Sequence, residues 1–183
     1  ASNGLPYAFF SANGCSTGIT TPTDVGVYYL KVTLNENDKY EADPIVKKLE
    51  ITNATLTVAE TPYTAQYDGA AHKPAAFTVT GTTADGTLTL GTGYTVKFYA
   101  SEADRTAGQN EIANVKNVAD SKTYYYVISA GNYDDYTGSV TVKITKVNLI
   151  IVSAGLVTER AYDTTTGAAI TGGNVTQGVI DGE

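Results

Sequence analysis

The chain has 183 residues, of which 42% are hydrophobic and 17% are charged, and its formal net charge is −7. This balance predicts one or two packed domains and excludes a disordered chain. The acidic charge disfavours binding to nucleic acid or to an anionic membrane surface, because both need basic patches. No apolar run is long enough for a transmembrane helix, so we expect no membrane insertion in this segment. One cysteine, Cys15, excludes a disulfide within the chain, and the absence of an initiator Met indicates a processed or excised piece.

Alternating apolar and polar residues predict β-strands along most of the chain. In chain order, the apolar faces are formed by Tyr28, Leu30, Val32 and Leu34; by Phe77 and Val79; by Tyr94, Val96 and Phe98; by Tyr124, Tyr126 and Ile128; and by Val140, Val142 and Ile144. Clusters of Gly, Asn and Asp between these runs predict turns. The polar stretch 102–110 is compatible with a long loop or one short helix, and we predict a loop. Many short strands at regular spacing predict an antiparallel β-sandwich.

The chain repeats itself with a period of about 93 residues, the separation of Leu56 and Leu149. The stretch from Tyr28 to Thr33 recurs as Tyr124 to Ser129, and Ile51-Thr52 recurs as Ile144-Thr145. The repeat predicts a complete domain at 54–146, the second half of a repeat at 1–53, and the first half of a further repeat at 147–183. Half of a sandwich leaves an apolar face uncovered. We therefore expect the tail of one copy and the head of the next to build a domain jointly, in a covalent array, a filament or a swapped dimer. The alternative is a fragment cut without regard to repeat boundaries.

Several short motifs occur in a fixed order: Tyr67-Asp68-Gly69 with His72 and Pro74, Tyr94-x-Val96, Tyr124 to Ile128, Asn132-Tyr133 to Tyr136-x-Gly138, and Ile144-Thr145-Lys146-x-x-Leu149. In these motifs the chain resembles the bacterial Ig-like tandem repeats of the MBG and YDG type, found in large surface and adhesin-like proteins. The resemblance implies an all-β fold of Ig-like antiparallel β-sandwich repeats. It also implies an extracellular location at the bacterial cell surface, and it brings no catalytic residues.

The function expected from this organisation is that of a structural or stalk module of a cell-surface adhesin-like or filament-forming protein, assembled in tandem head to tail. Its partners would be neighbouring copies or adjacent repeats of the same protein. The first alternative is a module that binds a glycan or a host surface protein. The second is an accessory domain of a secreted glycoside hydrolase; we expect no catalysis by this chain, since no pair of carboxylates suggests a cleft.

The acidic turn at Asn132, Asp134 and Asp135 is the candidate metal site. Its hard oxygens suit calcium, although the spacing does not match an EF-hand. Zinc is disfavoured, because one His and one Cys fall short of its usual four ligands. Solvated hairpin residues are the alternative interpretation.

The chain contains 14 tyrosines, which invites a sugar-binding interpretation. Tyr133, Tyr125 and Tyr29 are predicted to be the exposed ones and thus the candidate ligand contacts. Most of the others are predicted to fill a sandwich core. Tyr40 and Tyr136 are candidates for a tyrosine corner, which ties an Ig-like loop to its own backbone.

Two further chemistries can be imagined from single residues. His72 is the only histidine, and a catalytic triad would need it with Asp68 or Asp120 and with a Ser or Cys15 as nucleophile. A structural role in the turn after Tyr67-Asp68-Gly69 is the alternative. An intramolecular isopeptide bond would need a buried lysine, for which Lys97 and Lys143 with Asn148 are candidates, although no spacing singles them out.

Overall fold

The computed structural model describes residues 6–33, 43–81, 86–153, 156–157, 161–162, 164, 170–171 and 174–177. The protein is all-β with several antiparallel sheets, which confirms the fold class expected from the alternation. Its contacts group into two units. The first unit is Ala1–Thr57, Val79–Thr95 and Ser129–Tyr136, and the second is Val58–Thr78, Val96–Ile128 and Thr137–Glu183. The predicted repeat boundaries and the Ig-like topology stay predictions.

The first four strands form one antiparallel sheet in the order β2-β1-β3-β4. The strands are β1 Tyr7–Phe10, β2 Gly18–Ile19, β3 Gly26–Val32 and β4 Ile45–Ile51. Aromatic and β-branched residues dominate β1 and β3, and such side chains favour the pleated surface of a strand.

One face of this sheet is almost wholly apolar. Residues directly opposite each other in an antiparallel pair lie on the same face. The register therefore places on one face Tyr7, Phe9, Ile19, Tyr28, Leu30, Val32, Ile45, Leu49 and Ile51, with Lys47 as the single charged residue. We call these ten residues the open face. No residue of the four strands is buried.

Two sheets follow along the chain. The first has the order β5-β7-β8 and the second β10-β9-β11-β12, while β6 pairs in parallel with β13. The bounds are β5 Leu56–Pro62, β6 Thr64–Gln66, β7 Ala75–Gly81, β8 Thr87–Leu88, β9 Thr95–Tyr99, β10 Glu111–Ile112, β11 Thr123–Ser129, β12 Tyr136–Thr141 and β13 Lys143–Thr145. A short 3₁₀ helix lies at Val118–Asp120. Four tail strands pair as β14 with β17 and β15 with β16: β14 Ile150–Ser153, β15 Leu156–Val157, β16 Ile170–Thr171 and β17 Asn174–Gln177.

An aromatic cluster packs within the second unit, between residues of β7, β9 and β11. The ring centroid of Phe77 lies 4.7 Å from that of Tyr126 and 5.8 Å from that of Phe98. The Tyr126 hydroxyl donates a hydrogen bond of 2.5 Å to Glu60 in β5. Two of the predicted apolar faces are confirmed in full, since the following residues are all buried: Tyr124, Tyr126, Ile128, Val140, Val142 and Ile144. In the other three faces Val79, Tyr94 and Phe98 are buried, Leu34 lies outside the described residues, and the rest are half-buried. Aromatic pairing of this kind adds to the stabilisation from burial alone.

The prediction of a loop throughout 102–110 is wrong. Residues Glu102–Ala107 form a short α-helix, α1. Ser101 is its N-cap and accepts a hydrogen bond from the Asp104 backbone N–H at 3.1 Å, which satisfies a helix donor that has no partner within the helix. Gly108 ends the helix with φ 66, a left-handed conformation that suits glycine. The spacing Ser101-x-x-Asp104 before Gly108 was the signal in the sequence.

Gly138 makes room for the hydroxyl of Tyr126. A Cβ atom added at Gly138 would collide with this hydroxyl and would lie only 2.6 Å from Cζ of the Tyr126 ring. We predict that Gly138→Ala lowers the free energy of unfolding by about 1–3 kcal/mol, the usual cost of overpacking. Urea unfolding of Gly138→Ala in the wild-type and Tyr126→Leu backgrounds measures the coupling. Tyr126→Leu removes both the hydroxyl and Cζ, so the cost should shrink in that background, and an equal cost in both would contradict this explanation.

Candidate functional site

The turn between β11 and β12 is held in an unusual backbone conformation. Asn132 has φ 63, in the left-handed region that asparagine tolerates better than most residues. This conformation presents its backbone carbonyl and its side-chain amide to residues of the amino-terminal part of the chain.

The amide of Asn132 bonds in two directions. Its Oδ1 accepts a hydrogen bond from the Val25 backbone N–H at 3.1 Å, and its Nδ2 donates to Asp24 Oδ1 at 3.2 Å. Both halves of one amide are therefore used by two consecutive residues just before β3. Each such bond contributes about 0.5–1.5 kcal/mol net.

The backbone of the same turn is bonded to the link before β5. Ala54 N–H donates to the Asn132 carbonyl at 2.9 Å, and Asp134 N–H donates to the Ala54 carbonyl at 2.9 Å. Asn53 Nδ2 adds a hydrogen bond of 2.9 Å to Asp134 Oδ1. We call the residues of these five hydrogen bonds the joint: Asp24, Val25, Asn53, Ala54, Asn132 and Asp134. A cleft of about 570 Å³ opens beside it, lined by residues 25–27, residues 50–53 and Asp134.

Tyr133, in the centre of this turn, is buried, so the exposure predicted for it is wrong. Its ring lies over Gly81, where a Cβ would collide with the tyrosine hydroxyl. The ring fits because Gly81 has no side chain, and a pairing so distant in sequence leaves no local signal. Tyr133 is thus an anchor of the turn, with no surface for stacking on a sugar.

The other two candidate tyrosines are only half-buried. Tyr29 lies in β3 opposite Lys48, and Tyr125 lies in β11. They occupy equivalent positions in the sequence repeat. A role in ligand contact stays a prediction for both.

The calcium prediction for Asn132, Asp134 and Asp135 stays untested. The turn does bring the three together, but Asn132 Oδ1 and Asp134 Oδ1 already accept hydrogen bonds from protein donors. Among the residues that the structure describes, no group of three or more His, Cys, Asp or Glu side chains could hold a metal ion.

A tyrosine-to-backbone bond recurs in the two sheets. Tyr28 Oη donates to the Asp24 carbonyl at 3.0 Å, and Tyr124 Oη donates to the Asp120 carbonyl at 3.1 Å. Both bonds span four residues. The bond is of the tyrosine-corner type, in which a hydroxyl ties the strand to backbone just upstream. The predicted corner at Tyr40 lies outside the described residues, and that at Tyr136 stays a prediction. The shared spacing Asp-x-x-x-Tyr was the sequence signal for Tyr28 and Tyr124.

His72 is built into the turn that precedes β7. Its Nε2 lies 2.8 Å and 3.1 Å from the two carboxylate oxygens of Asp68, and its ring stacks on Tyr63 with centroids 4.3 Å apart. Its backbone N–H and carbonyl are both bonded to Val115. Within the described part of the chain, no Ser, Thr or Cys side chain is hydrogen-bonded to the imidazole. The contacts are those of a turn residue.

The remaining candidates do not assemble into a site. Asp120, the other possible partner of His72, instead accepts hydrogen bonds from the backbone of Lys116 and Asn117. The Cys15 thiol donates weakly to the Asn13 carbonyl at 3.5 Å. Lys97 and Lys143 are exposed, which does not suit the buried lysine that an isopeptide bond needs.

Three carboxylates have lowered pKa values for a shared reason, which is hydrogen bonding to the charged form. The backbone N–H of Lys116, followed by that of Asn117, lowers the pKa of Asp120. The Ala70 backbone N–H and the His72 side chain lower the pKa of Asp68. The hydroxyl of Ser101 and the amide of Asn110 lower the pKa of Asp104.

Comparison with known proteins does not place the chain in a family. No family model matches it, and no curated protein matches it in sequence. Of the described residues, none belongs to a helix long and apolar enough to cross a membrane.

We predict that the protein loses stability in acid through these carboxylates. A carboxyl whose folded pKa lies below its unfolded value of 3.8 stabilises the fold above that pH, and this contribution is lost as the pH falls. Asp120→Asn should therefore flatten the fall in the free energy of unfolding between about pH 5 and pH 2. Urea titrations at a series of pH values measure this. Equal pH dependence in the wild type and the variant would contradict the role given to Asp120.

Proposed function

We propose that this chain is a stalk module of a bacterial cell-surface adhesin-like or filament-forming protein, in which similar units follow one another head to tail. The joint is the observation that carries the proposal. Its five hydrogen bonds connect residues just before β3 and just before β5 with a turn more than 75 residues further along the chain.

The same strand order and the same tyrosine-to-backbone bond occur twice in the chain, which supports a role as one of several tandem repeats. The sheet β2-β1-β3-β4 and the sheet β10-β9-β11-β12 share one strand order, and each has its Asp-x-x-x-Tyr bond. In repeat proteins each unit contacts only its neighbours, and stability is a sum of unit and neighbour terms. With the repeat boundaries predicted from the sequence, the bonds of Asn132 to Asp24 and Val25, and that of Asp134 to Asn53, would be such a neighbour term.

A spacer works by resisting bending between its units. A linker with no hydrogen bonds behaves as a random coil, whereas bonds to both sides of a turn fix its orientation. The joint uses backbone groups of Ala54 and Asn132 and side chains of Asn53 and Asn132, so several bonds would have to break together before the joint could bend. The role is mechanical and needs no catalytic residue, and the surface location is proposed with it.

Asn132→Gly tests the stiffness of the joint, because glycine keeps the left-handed backbone and removes only the amide. We expect a loss of about 1–3 kcal/mol of joint stability from two hydrogen bonds. Spin labels at Lys48 and at exposed Thr92, both in the first unit, in a Cys15→Ser background, report the distance distribution by double electron–electron resonance. The distribution should be narrow in the parent and broad in Asn132→Gly.

Asn110→Gly is the matched control. Asn110 also has a positive φ, 55, and also donates from its amide to an aspartate, Asp104, at 2.7 Å, but it lies outside the joint. This variant should leave the distribution narrow. A broad distribution in the parent protein, or the same broadening in both variants, would refute the stalk role.

A further inference from the structure

The open face matches a face that is covered elsewhere in the same molecule. Phe9 pairs with Ile19 in the first sheet, and Phe98 pairs with Ile112 in the sheet β10-β9-β11-β12. Phe9 also lies opposite Leu30, whose counterpart in the sequence repeat is Tyr126. The open face is thus the counterpart of the face that carries Phe98 and Tyr126.

Equivalent positions differ sharply in exposure. Leu49 is 37% exposed, whereas its counterpart Val142 is 1% exposed. Tyr7 and Ile45, at the end of the open face, are 65% and 59% exposed. The other apolar residues of the open face are half-buried. Exposed apolar residues grouped on one face of a sheet are typical of an interaction site.

The strands that cover the equivalent face are β5 and β7. Phe77 of β7 packs against Phe98 and Tyr126, and Glu60 of β5 accepts the hydrogen bond from Tyr126. The chain carries a second version of this pair of strands. Leu149, just before β14, is the counterpart of Leu56, and β14 pairs with β17 as β5 pairs with β7.

The start of this tail also presents an apolar residue to solvent. Leu149 is 62% exposed, whereas its counterpart Leu56 is buried. Ile151 pairs with Val175 in these two strands, so apolar residues continue along the sequence of the tail. The complete repeat contains a four-stranded sheet and a pair of strands of the same kind, packed together.

We propose that the open face is the docking surface for strands β14 and β17 of a second copy of this chain. The inference rests on the head-to-tail function proposed above and names the partner that would complete it. Each copy has one open face and one such tail, so the contact is heterologous and yields an open fibre or a closed ring.

Lys47 is the one charge on the open face, where its repeat counterpart is Val140. It lies on the edge strand β4, so its long side chain can bury its methylenes and carry the ammonium group to the rim. An inward-pointing lysine on an edge strand also discourages indiscriminate pairing with other chains.

Sedimentation velocity over a range of concentrations tests the proposal on the full chain. The wild type should self-associate. Leu49→Lys and Leu149→Lys should each weaken association by at least about tenfold, because each buries an unpaired charge. Both residues are exposed in the single chain, so neither substitution should unfold it, and circular dichroism checks this.

Two neighbouring residues serve as matched controls. Val46 lies on the opposite face of β4 with the same 37% exposure as Leu49, and Ile150 is the repeat counterpart of Thr57, which is exposed. Val46→Lys and Ile150→Lys should therefore leave self-association unchanged.

Mixing the two blocked chains identifies the occupant. The Leu49→Lys chain keeps an unaltered tail, and the Leu149→Lys chain keeps an unaltered open face. A mixture of the two should therefore form a heterodimer and no larger assembly. If Leu149→Lys associates like the wild type, the open face pairs with itself and the proposal is wrong. The proposal is also wrong if the wild type is monomeric at every concentration. This includes a monomer in which hydrogen exchange shows the open face protected by the tail of the same chain. A monomer with a stiff joint would leave the stalk role standing, and an associating chain with a flexible joint would refute only that role.

Discussion

An apolar sheet face has to be covered by a second layer, and most of this structure follows from that constraint. Strand faces such as Tyr124-Tyr126-Ile128 and Val140-Val142-Ile144 are stable because other residues exclude water from them. Burial of a large apolar side chain contributes about 1.5–3 kcal/mol, so one covered face supplies much of the stability of a small domain. The same four-strand order occurs twice, and only one of the two sheets contains buried residues.

The constraint also explains the placing of the tyrosines. A tyrosine in a sandwich brings a large ring and a hydroxyl that needs a partner. Tyr28 and Tyr124 turn their hydroxyls back to a carbonyl four residues upstream, and Tyr126 reaches the Glu60 carboxylate. Gly81 and Gly138 give Tyr133 and Tyr126 the space that a side chain would occupy. The abundance of tyrosine therefore reflects packing at the rim of the layers, and it does not by itself indicate a sugar site.

The sequence predicted what depends on local periodicity and missed what depends on distant partners. Alternation identified the buried faces of β11 and β12 because the side-chain period of a strand is a property of the strand alone. The hydrogen bonds of Asn132 and Asp134 to Asp24, Val25 and Asn53 were not predicted, because these partners lie far away in the sequence. Tyr133 was expected at the surface because no nearby residue in the sequence indicates its contact with Gly81. The helix at Glu102–Ala107 is different, because its cap and its terminal glycine were readable and were outweighed by its polar composition.

A molecule with an uncovered apolar face needs protection from uncontrolled assembly. Sheets grow most readily through unpaired edges, and both edges of the first sheet are poor templates. The edge strand β2 has only two residues, and the other edge strand, β4, carries Lys47 and Lys48, the latter ion-paired with Glu50 at 2.7 Å. Both features disfavour aggregation by addition of strands at the edges. The head-to-tail contact proposed above uses the apolar face and needs no free edge, so protected edges are compatible with it.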